Sequence, residues 1–374
     1  MPPVVVFYIS GHGFGHASRD IEVINALLDR RPEVRVIVRT AAKRWLFDLT
    51  VRHPITFEVL EADTGAVQMD SLRLDVAETI RRAASFHAGL DAKSAAEAKV
   101  LRTTGAALVV GDAPPLAFTA AAVAGVPSVL LGNFTWDWIY EAYGEEVAQA
   151  PGLPERIRTA YRLADLVLRL PMWGGFASLD PSRIVELPLV ARRSRRTRAE
   201  VRAALGLPPE ERLVLLSFGG FGLRHFDLAA LAHLPGWRVV STGQVGARAE
   251  GGGPTGGIIE LDERELYGSG LRYEDLVAAC DVVATKPGYG IIAECAANGA
   301  ALLYTSRGRF VEYDVLVEQM PRYVRSAFIP QADLLAGRWA PALDALLIQP
   351  APPRQRVDGA EAAADLLIAR LPKR

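Results

Sequence analysis

The chain predicts an α/β protein built from two doubly wound, Rossmann-like domains that face each other across a cleft. Three observations carry that prediction. The chain has 374 residues, more than one ordinary open sheet needs and enough for two domains that each bury a core. Short β-branched runs bounded by turn residues alternate with longer amphipathic stretches, the pattern of parallel strands buried beneath helices on both faces. That alternation breaks once, near the middle, and then restarts.

In the first domain, taken as 1–190, strands are expected at 4–10, 34–40, 56–60, 107–111, 127–132 and 165–169, and helices at 18–30, 75–102, 113–124 and 135–148. The opening run from Val4 to Ile9 has no basic region before it and stops at Ser10-Gly11, far short of a membrane span, so it is expected as a buried strand. The break comes at Pro171, Pro181, Pro188 and the stretch Arg192-Arg193-Ser194-Arg195-Arg196. A charge run of this kind is expected as solvated linker rather than an anion site. The second domain, 191–355, is expected to use 213–217, 237–241, 258–261, 281–284 and 301–304 as strands. After a Pro-rich break at 350–353 the segment 356–374 carries an amphipathic helix from Val357 to Leu371.

Lys and Arg number 42 against 43 Asp and Glu, so the totals supply no electrostatic reason for a nucleic-acid partner. Cys280 and Cys295 have no metal-ligand or C-x-x-C spacing; they are expected as packed thiols, consistent with a reducing cytoplasm. No apolar run reaches ~18 residues without a charge or breaker, so no transmembrane helix is expected; contact with a membrane surface stays open. No short-period repeat or low-complexity tract occurs.

Ligands of open parallel sheets sit beyond the carboxyl ends of the strands, and the loops there are distinctive. The first strand runs into Gly11-His12-Gly13-Phe14-Gly15-His16-Ala17-Ser18-Arg19. Gly13 and Gly15 let the backbone turn and approach a ligand, and the following helix start favours an anion or an acceptor oxygen. As a dinucleotide fingerprint it fails, because the third glycine falls at His16 and the second strand ends Val38-Arg39-Thr40 without an acid for the ribose. Imidazole suits proton transfer near neutral pH, which makes His16 the candidate base with His12 sharing or supporting it. Arg19, one turn into the helix, faces either phosphate or solvent. In the second domain Ser217-Phe218-Gly219-Gly220 repeats the strand-to-glycine-loop arrangement and suits a diphosphate. Asp281 to Glu294 reads as strand, glycine turn and helix. Gly288 and Gly290 offer backbone donors, Lys286 adds charge, and the Glu294 carboxylate can accept from both vicinal hydroxyls of a ribose. Glu312 and Asp314 either hold sugar hydroxyls or cap a helix.

The Gly11–His16 loop, Asn133-Phe134-Thr135-Trp136-Asp137-Trp138-Ile139-Tyr140 and Lys286-Pro287-Gly288-Tyr289-Gly290 together resemble the glycosyltransferase-like N-terminal region of plant L-arabinokinase and its bacterial relatives, over nearly the whole chain. More distantly, Gly288 to Glu294 resembles the donor site of the lipid II-forming N-acetylglucosaminyltransferase and of UDP-glycosyltransferases. The resemblance implies the GT-B architecture, with Glu294 on ribose, Gly288 and Gly290 on the diphosphate, the Glu312 region on the donor sugar and Leu271-Arg272-Tyr273 beside the base. It puts Asp112, Trp136, Asp137 and Trp138 on the acceptor side. The chain ends near where the arabinokinase's kinase domain would begin and has no G-x-x-x-x-G-K-[ST] loop, so kinase activity does not carry over. The Gln that closes the plant UDP-glycosyltransferase signature is not matched either, which leaves the donor base and sugar open. The expected activity is inverting transfer from a nucleoside diphosphate sugar, UDP-sugar first, to an acceptor not named by the sequence. No clear D-x-D occurs, so neither a metal nor a tightly bound cofactor is expected. Two alternatives stand beside it. Gly13 to Arg19 also resembles the G-x-G-H-x-x-R of UDP-sugar hydrolases of pseudaminic acid synthesis, and a non-catalytic nucleotide-sugar sensor or scaffold would keep the same fold.

Overall fold

The computed structural model describes residues 2–218, 226–242 and 257–372, and the side chains of all of these except 263–265. The chain forms two compact units. The first comprises Met1–Val67, Asp75–Val190 and Arg356–Arg374; the second comprises Gln68–Leu74 and Ala191–Gln355.

Numbered in chain order, the strands up to the middle of the chain are β1 (Val4–Ile9), β2 (Arg35–Thr40), β3 (Thr56–Val59), the short pair β4 (Val67–Gln68) and β5 (Leu74–Asp75), β6 (Ala106–Asp112), β7 (Ser128–Phe134), β8 (Leu166–Gly174) and β9 (Ile184–Glu186). Seven of them make the first sheet, in the order β3-β2-β1-β6-β7-β8-β9, and every pairing in it is parallel. All six residues of β1 are buried, as a central strand covered on both faces requires. One face packs through Val5, Phe7, Ile9, Leu108 and Val110 against Ile21, Ile24 and Leu27 of the helix Phe14–Arg30 and against Ala363, Ala364 and Leu367 of the helix Gly359–Ile368. The C-terminal helix thus completes the first unit's core, tied by the Val190–Asp358 bridge and an Arg30–Asp365 ion pair at 2.8 Å.

The second unit contributes β10 (Arg212–Ser217), β11 (Trp237–Ser241), β12 (Ile258–Glu260), β13 (Val282–Thr285), β14 (Ala301–Tyr304) and β15 (Ser326–Phe328). They form a second parallel sheet, β12-β11-β10-β13-β14-β15. Its core gathers Val214, Leu216, Val282, Ala284, Trp339 and Leu343, joined by Leu72 from the β4–β5 connection. Ser71 in that connection donates its hydroxyl to the Phe218 carbonyl at 2.6 Å.

Several expected elements differ in detail. The helix expected over 75–102 is two, Val76–Ala88 and Leu90–Thr104, divided at Gly89, since glycine carries the largest ordinary entropic cost inside a helix. The helix expected over 135–148 is divided at Gly144, where φ is 47°. Strands β9 and β15 were not expected; at three residues each they are too short to show a period. The basic stretch after Val190 is not simply solvated. Arg193, Arg195 and Arg196 are exposed, but the Arg192 side chain is 11% exposed and Ser194 Oγ donates to Asp275 at 2.7 Å. Both cysteines are buried and unbonded. Among the described residues no helix is long and apolar enough to cross a membrane.

Both sheets are doubly wound, and each has a point where the strand order reverses, between β1 and β6 and between β10 and β13. Crevices at the carboxyl ends of such strand pairs are where ligands of open α/β sheets bind.

Candidate active site

At the first reversal, register decides which side chains meet. Ile9 of β1 is level with Asp112 at the end of β6, and the next amide, Ser10 N–H, donates to the Asp112 carbonyl at 3.1 Å. The chain then turns through Gly13, whose φ of 76° favours glycine, into the helix that carries His16 and Arg19 on one face. His16 Nδ1 lies 2.9 Å from Asp112 Oδ1. Arg19 grips the same carboxylate, Nε to Oδ2 at 2.5 Å and Nη2 to Oδ1, and its Nη1 donates to Asn133 Oδ1 at the end of β7. Asn133 Nδ2 in turn holds the Pro171 carbonyl of β8 at 2.7 Å. Residues from four adjacent strands, β1, β6, β7 and β8, and from the first helix therefore converge on one buried cluster.

Two groups meet His16 Nδ1 at 2.9 Å: Asp112 Oδ1, which as a carboxylate can only accept, and Arg19 Nη2, which can only donate. In the tautomer that donates Nδ1–H to Asp112, Nε2 is the basic nitrogen. Burial pushes Asp112 upward, but the Arg19 guanidinium and then His16 outweigh it and hold the carboxyl well below the usual carboxylate range. Asp20, fully buried beside it, is driven the other way, well above the usual carboxylate range, first by burial and then by the Asp112 charge.

Asp63, from the loop after β3, joins the same cluster. It accepts from Ser10 Oγ at 3.0 Å and from Trp136 Nε1 at 2.9 Å, and burial raises it to about 6 against the opposing pull of His16 and these two donors. Trp136 stacks on Tyr140 with centroids 5.3 Å apart and meets Phe134 edge-on at 5.0 Å; Phe134 meets the His16 ring at 5.6 Å. His12 lies edge-on to Trp136 at 5.8 Å. Its Nδ1 accepts the Ala66 N–H at 3.3 Å, which puts the ring proton of neutral His12 on Nε2. Asp137 faces Arg158 Nε at 3.2 Å, and Trp138 fills the space beside Gly174. Gly15 is exposed, and a Cβ there would meet nothing within 4 Å.

Gly65 holds His12 in place by its lack of a side chain. Its φ is +58° and a Cβ there would lie 2.8 Å from both Cβ and Nδ1 of His12. Gly65→Ala is expected to destabilise the protein by about 2–3 kcal/mol through strain and displacement of His12, which a urea midpoint comparison checks.

In the second unit, Ser217 at the end of β10 is level with Thr285 at the end of β13, and Ser217 Oγ contacts Tyr273 Oη at 2.6 Å. After β13 the chain passes Lys286 and Pro287 to Gly288, which caps the helix Tyr289–Asn298; Gly290 lies in its first turn. Burial first, and then the Arg307 charge, hold the Lys286 ammonium well below the usual lysine range. Glu294, one turn further along, is 4% exposed and carries an ion pair that no sequence pattern announced. Arg192 reaches Oε1 with Nε at 2.6 Å and Nη2 at 2.5 Å, lies 3.9 Å from Glu274 and covers the Tyr273 ring at 5.1 Å. Burial raises Glu294 even so, with Arg192 opposing. Arg272 is used locally, donating Nη1 to the Tyr267 and Leu271 carbonyls at 3.3 and 2.8 Å. Arg307 Nη1 faces Glu312 Oε1 at 3.4 Å; Asp314, in the first turn of the same helix, is exposed. Gly219 and Gly220 lie outside the described residues.

The sequence reading did not single out Asp63, Asn133, Ser10, Asp20 or Arg192 as site residues. Asp20 had a local signal, four residues after His16 and on the same helix face. Asp63 and Arg192 had none, because nothing in a loop or a charge run shows which buried partner it will meet.

No protein-family model matches the chain. It is similar to L-arabinokinase of Arabidopsis thaliana, 30% identical over an alignment of 384 positions that covers 97% of this chain and 34% of that protein; the chain spans about a third of that relative's length. An uncharacterized glycosyltransferase of Methanopyrus kandleri is 25% identical over an alignment of 301 positions that covers 76% of this chain and 81% of that one. Among solved structures, the glycosyltransferase of kitacinnamycin aligns with a TM-score of 0.64 at 17% identity, covering 99% of this chain and 100% of that one. Phytolacca americana UGT2, complexed with UDP-2-fluoro-glucose and pterostilbene, aligns at 0.58 and 15% identity, covering 98% and 94%. At such identities the likeness is one of fold, and the fold is GT-B.

Proposed function

We propose that this chain, which has the GT-B fold of glycosyltransferases, moves a sugar from a nucleoside diphosphate sugar, UDP-sugar first among them, to an acceptor hydroxyl with inversion. The observation that carries the reading is the contact of His16 Nδ1 with Asp112 at 2.9 Å, at the strand-order reversal of the first sheet. With Nδ1–H turned to Asp112, Nε2 takes the proton of the acceptor hydroxyl as its oxygen bonds to the anomeric carbon. The bond from that carbon to the diphosphate oxygen breaks with its electron pair, and the nucleoside diphosphate leaves. One such displacement inverts the anomeric centre.

The second unit supports the donor side of this reading. The start of the helix Tyr289–Asn298 suits phosphate oxygens with Gly288 and Gly290 amides, an anion there favours the charged form of Lys286, and Glu294 takes the ribose hydroxyls. Glu312 and Asp314 are assigned to the donor sugar.

A thermal-shift screen over UDP, dTDP, GDP and CMP sugars tests the proposal, since a ligand that binds the folded state raises its apparent stability. Stabilisation by one nucleotide series, with product formed only when an acceptor alcohol is supplied, is the expected result. No shift with any of the four would overturn it, and release of free sugar without acceptor would replace transfer by hydrolysis.

A further inference from the structure

The His16 cluster contains more acid than one base requires. Asp20, Asp63 and Asp112 are all buried. Arg19 binds both oxygens of Asp112, and burial together with the Asp112 charge pushes the Asp20 carboxyl upward next to it. Asp112 therefore orients His16 while much of its charge is cancelled at close range. Asp63 is held differently. Its oxygens accept from Ser10 Oγ at 3.0 Å and Trp136 Nε1 at 2.9 Å, both neutral donors, so its charge is hydrogen-bonded but not neutralised.

We propose that Asp63 is a positioning residue for the His16 reaction. It fixes Ser10, whose amide holds the Asp112 carbonyl at 3.1 Å, and Trp136, which meets the Phe134 ring that in turn meets His16, and it supplies the uncancelled negative charge that steadies the imidazolium formed when His16 accepts a proton. The inference rests on His16 acting as the base. The groups facing Asp63 are His16 from the first helix, Asp112 from β6 and the phenols of Tyr140 and Tyr161, with Arg19 beyond Asp112. Burial places Asp63 at about 6, raised from 3.8. A raised carboxyl contributes stability in full below its unfolded value and loses it as pH rises through the folded one. Ionised Asp63 thus costs roughly a hundredfold in the folding equilibrium above pH 6, which is the behaviour of a group kept for function rather than for the fold.

The test uses the full chain. Of its six tryptophans, Trp136 is assigned by the indole signal missing in Trp136→Phe. That signal is expected to shift with a midpoint near pH 6 in the unmodified protein and to stay still in Asp63→Asn, while the other five confirm that the variant is folded. With UDP-glucose as donor probe at pH 8, Asp63→Asn is expected to lower kcat roughly tenfold with KM unchanged. A Trp136 signal that does not move near pH 6, or moves equally in the variant, would sink the placement of Asp63; a folded variant with unaltered kcat would sink its role. If the unmodified protein turns over no nucleotide sugar, the functional proposal fails separately, and the indole titration still decides whether Asp63 is the group that senses pH in this cluster.

Discussion

His16→Ala is expected to give a folded protein that still binds a nucleoside diphosphate sugar but transfers from it about a thousandfold more slowly. The size follows from what a positioned general base contributes, 10²–10⁴ in rate, and the structure explains why binding and fold survive. The ring donates to Asp112 without being that carboxylate's main counterion: Arg19 keeps Asp112 satisfied through both oxygens and reaches Asn133 as well. Truncating His16 therefore strands no buried charge. Asp112→Asn is a poorer probe, because it would leave Arg19 buried without its carboxylate, a loss that typically costs 3–5 kcal/mol, and would mix misfolding with catalysis. Single-turnover rates measured alongside donor thermal shifts separate the two effects. Equal rates in variant and parent would remove His16 from the chemistry.

How much of this was legible beforehand depended on the distance over which each feature is encoded. The alternation of β-branched runs and amphipathic stretches is local, and the α/β class followed from it; so did the glycine loops that end β1 and precede the helix Tyr289–Asn298. Helix breaks at Gly89 and Gly144 were missed because apolar spacing continues through both. The site needed more than local pattern. His16 and Asp112 are 96 residues apart and were given separate roles, base and acceptor side; only the parallel register of β1 with β6 brings them to one point. Arg19, left between phosphate and solvent, turns inward because Asp112 and Asn133 end the two neighbouring strands. Arg192 looked like one charge in a solvated run, and the carboxylate it meets lies 102 positions away.

That pair yields the second large effect, in Arg192→Met. Both contacting nitrogens of Arg192 reach the same oxygen of Glu294, so the guanidinium fixes the carboxylate while the other oxygen is not engaged by it. Removing the guanidinium leaves a buried acid without its counterion, and the fold is expected to lose about 3 kcal/mol near neutral pH. Burial already raises Glu294 with Arg192 opposing; without that opposition the carboxyl moves higher still and takes up a proton. The sign of the pH dependence follows. A carboxyl raised in the folded state contributes stability below its unfolded value and loses it as pH rises through the folded one, so the stability gap between variant and parent should be small at pH 5 and widen by pH 8. Under the proposed function a protonated Glu294 can no longer accept from both ribose hydroxyls, and UDP should bind roughly 10- to 100-fold more weakly at pH 7, a loss of about 1.4–2.7 kcal/mol. Arg192→Lys keeps the charge but not the planar fork, and should recover stability more than UDP affinity. Melting temperatures at the two pH values, with UDP titrations at pH 7, measure each part. A stability gap independent of pH would mean that Arg192 contributes by packing on Tyr273 alone and that Glu294 does not depend on it.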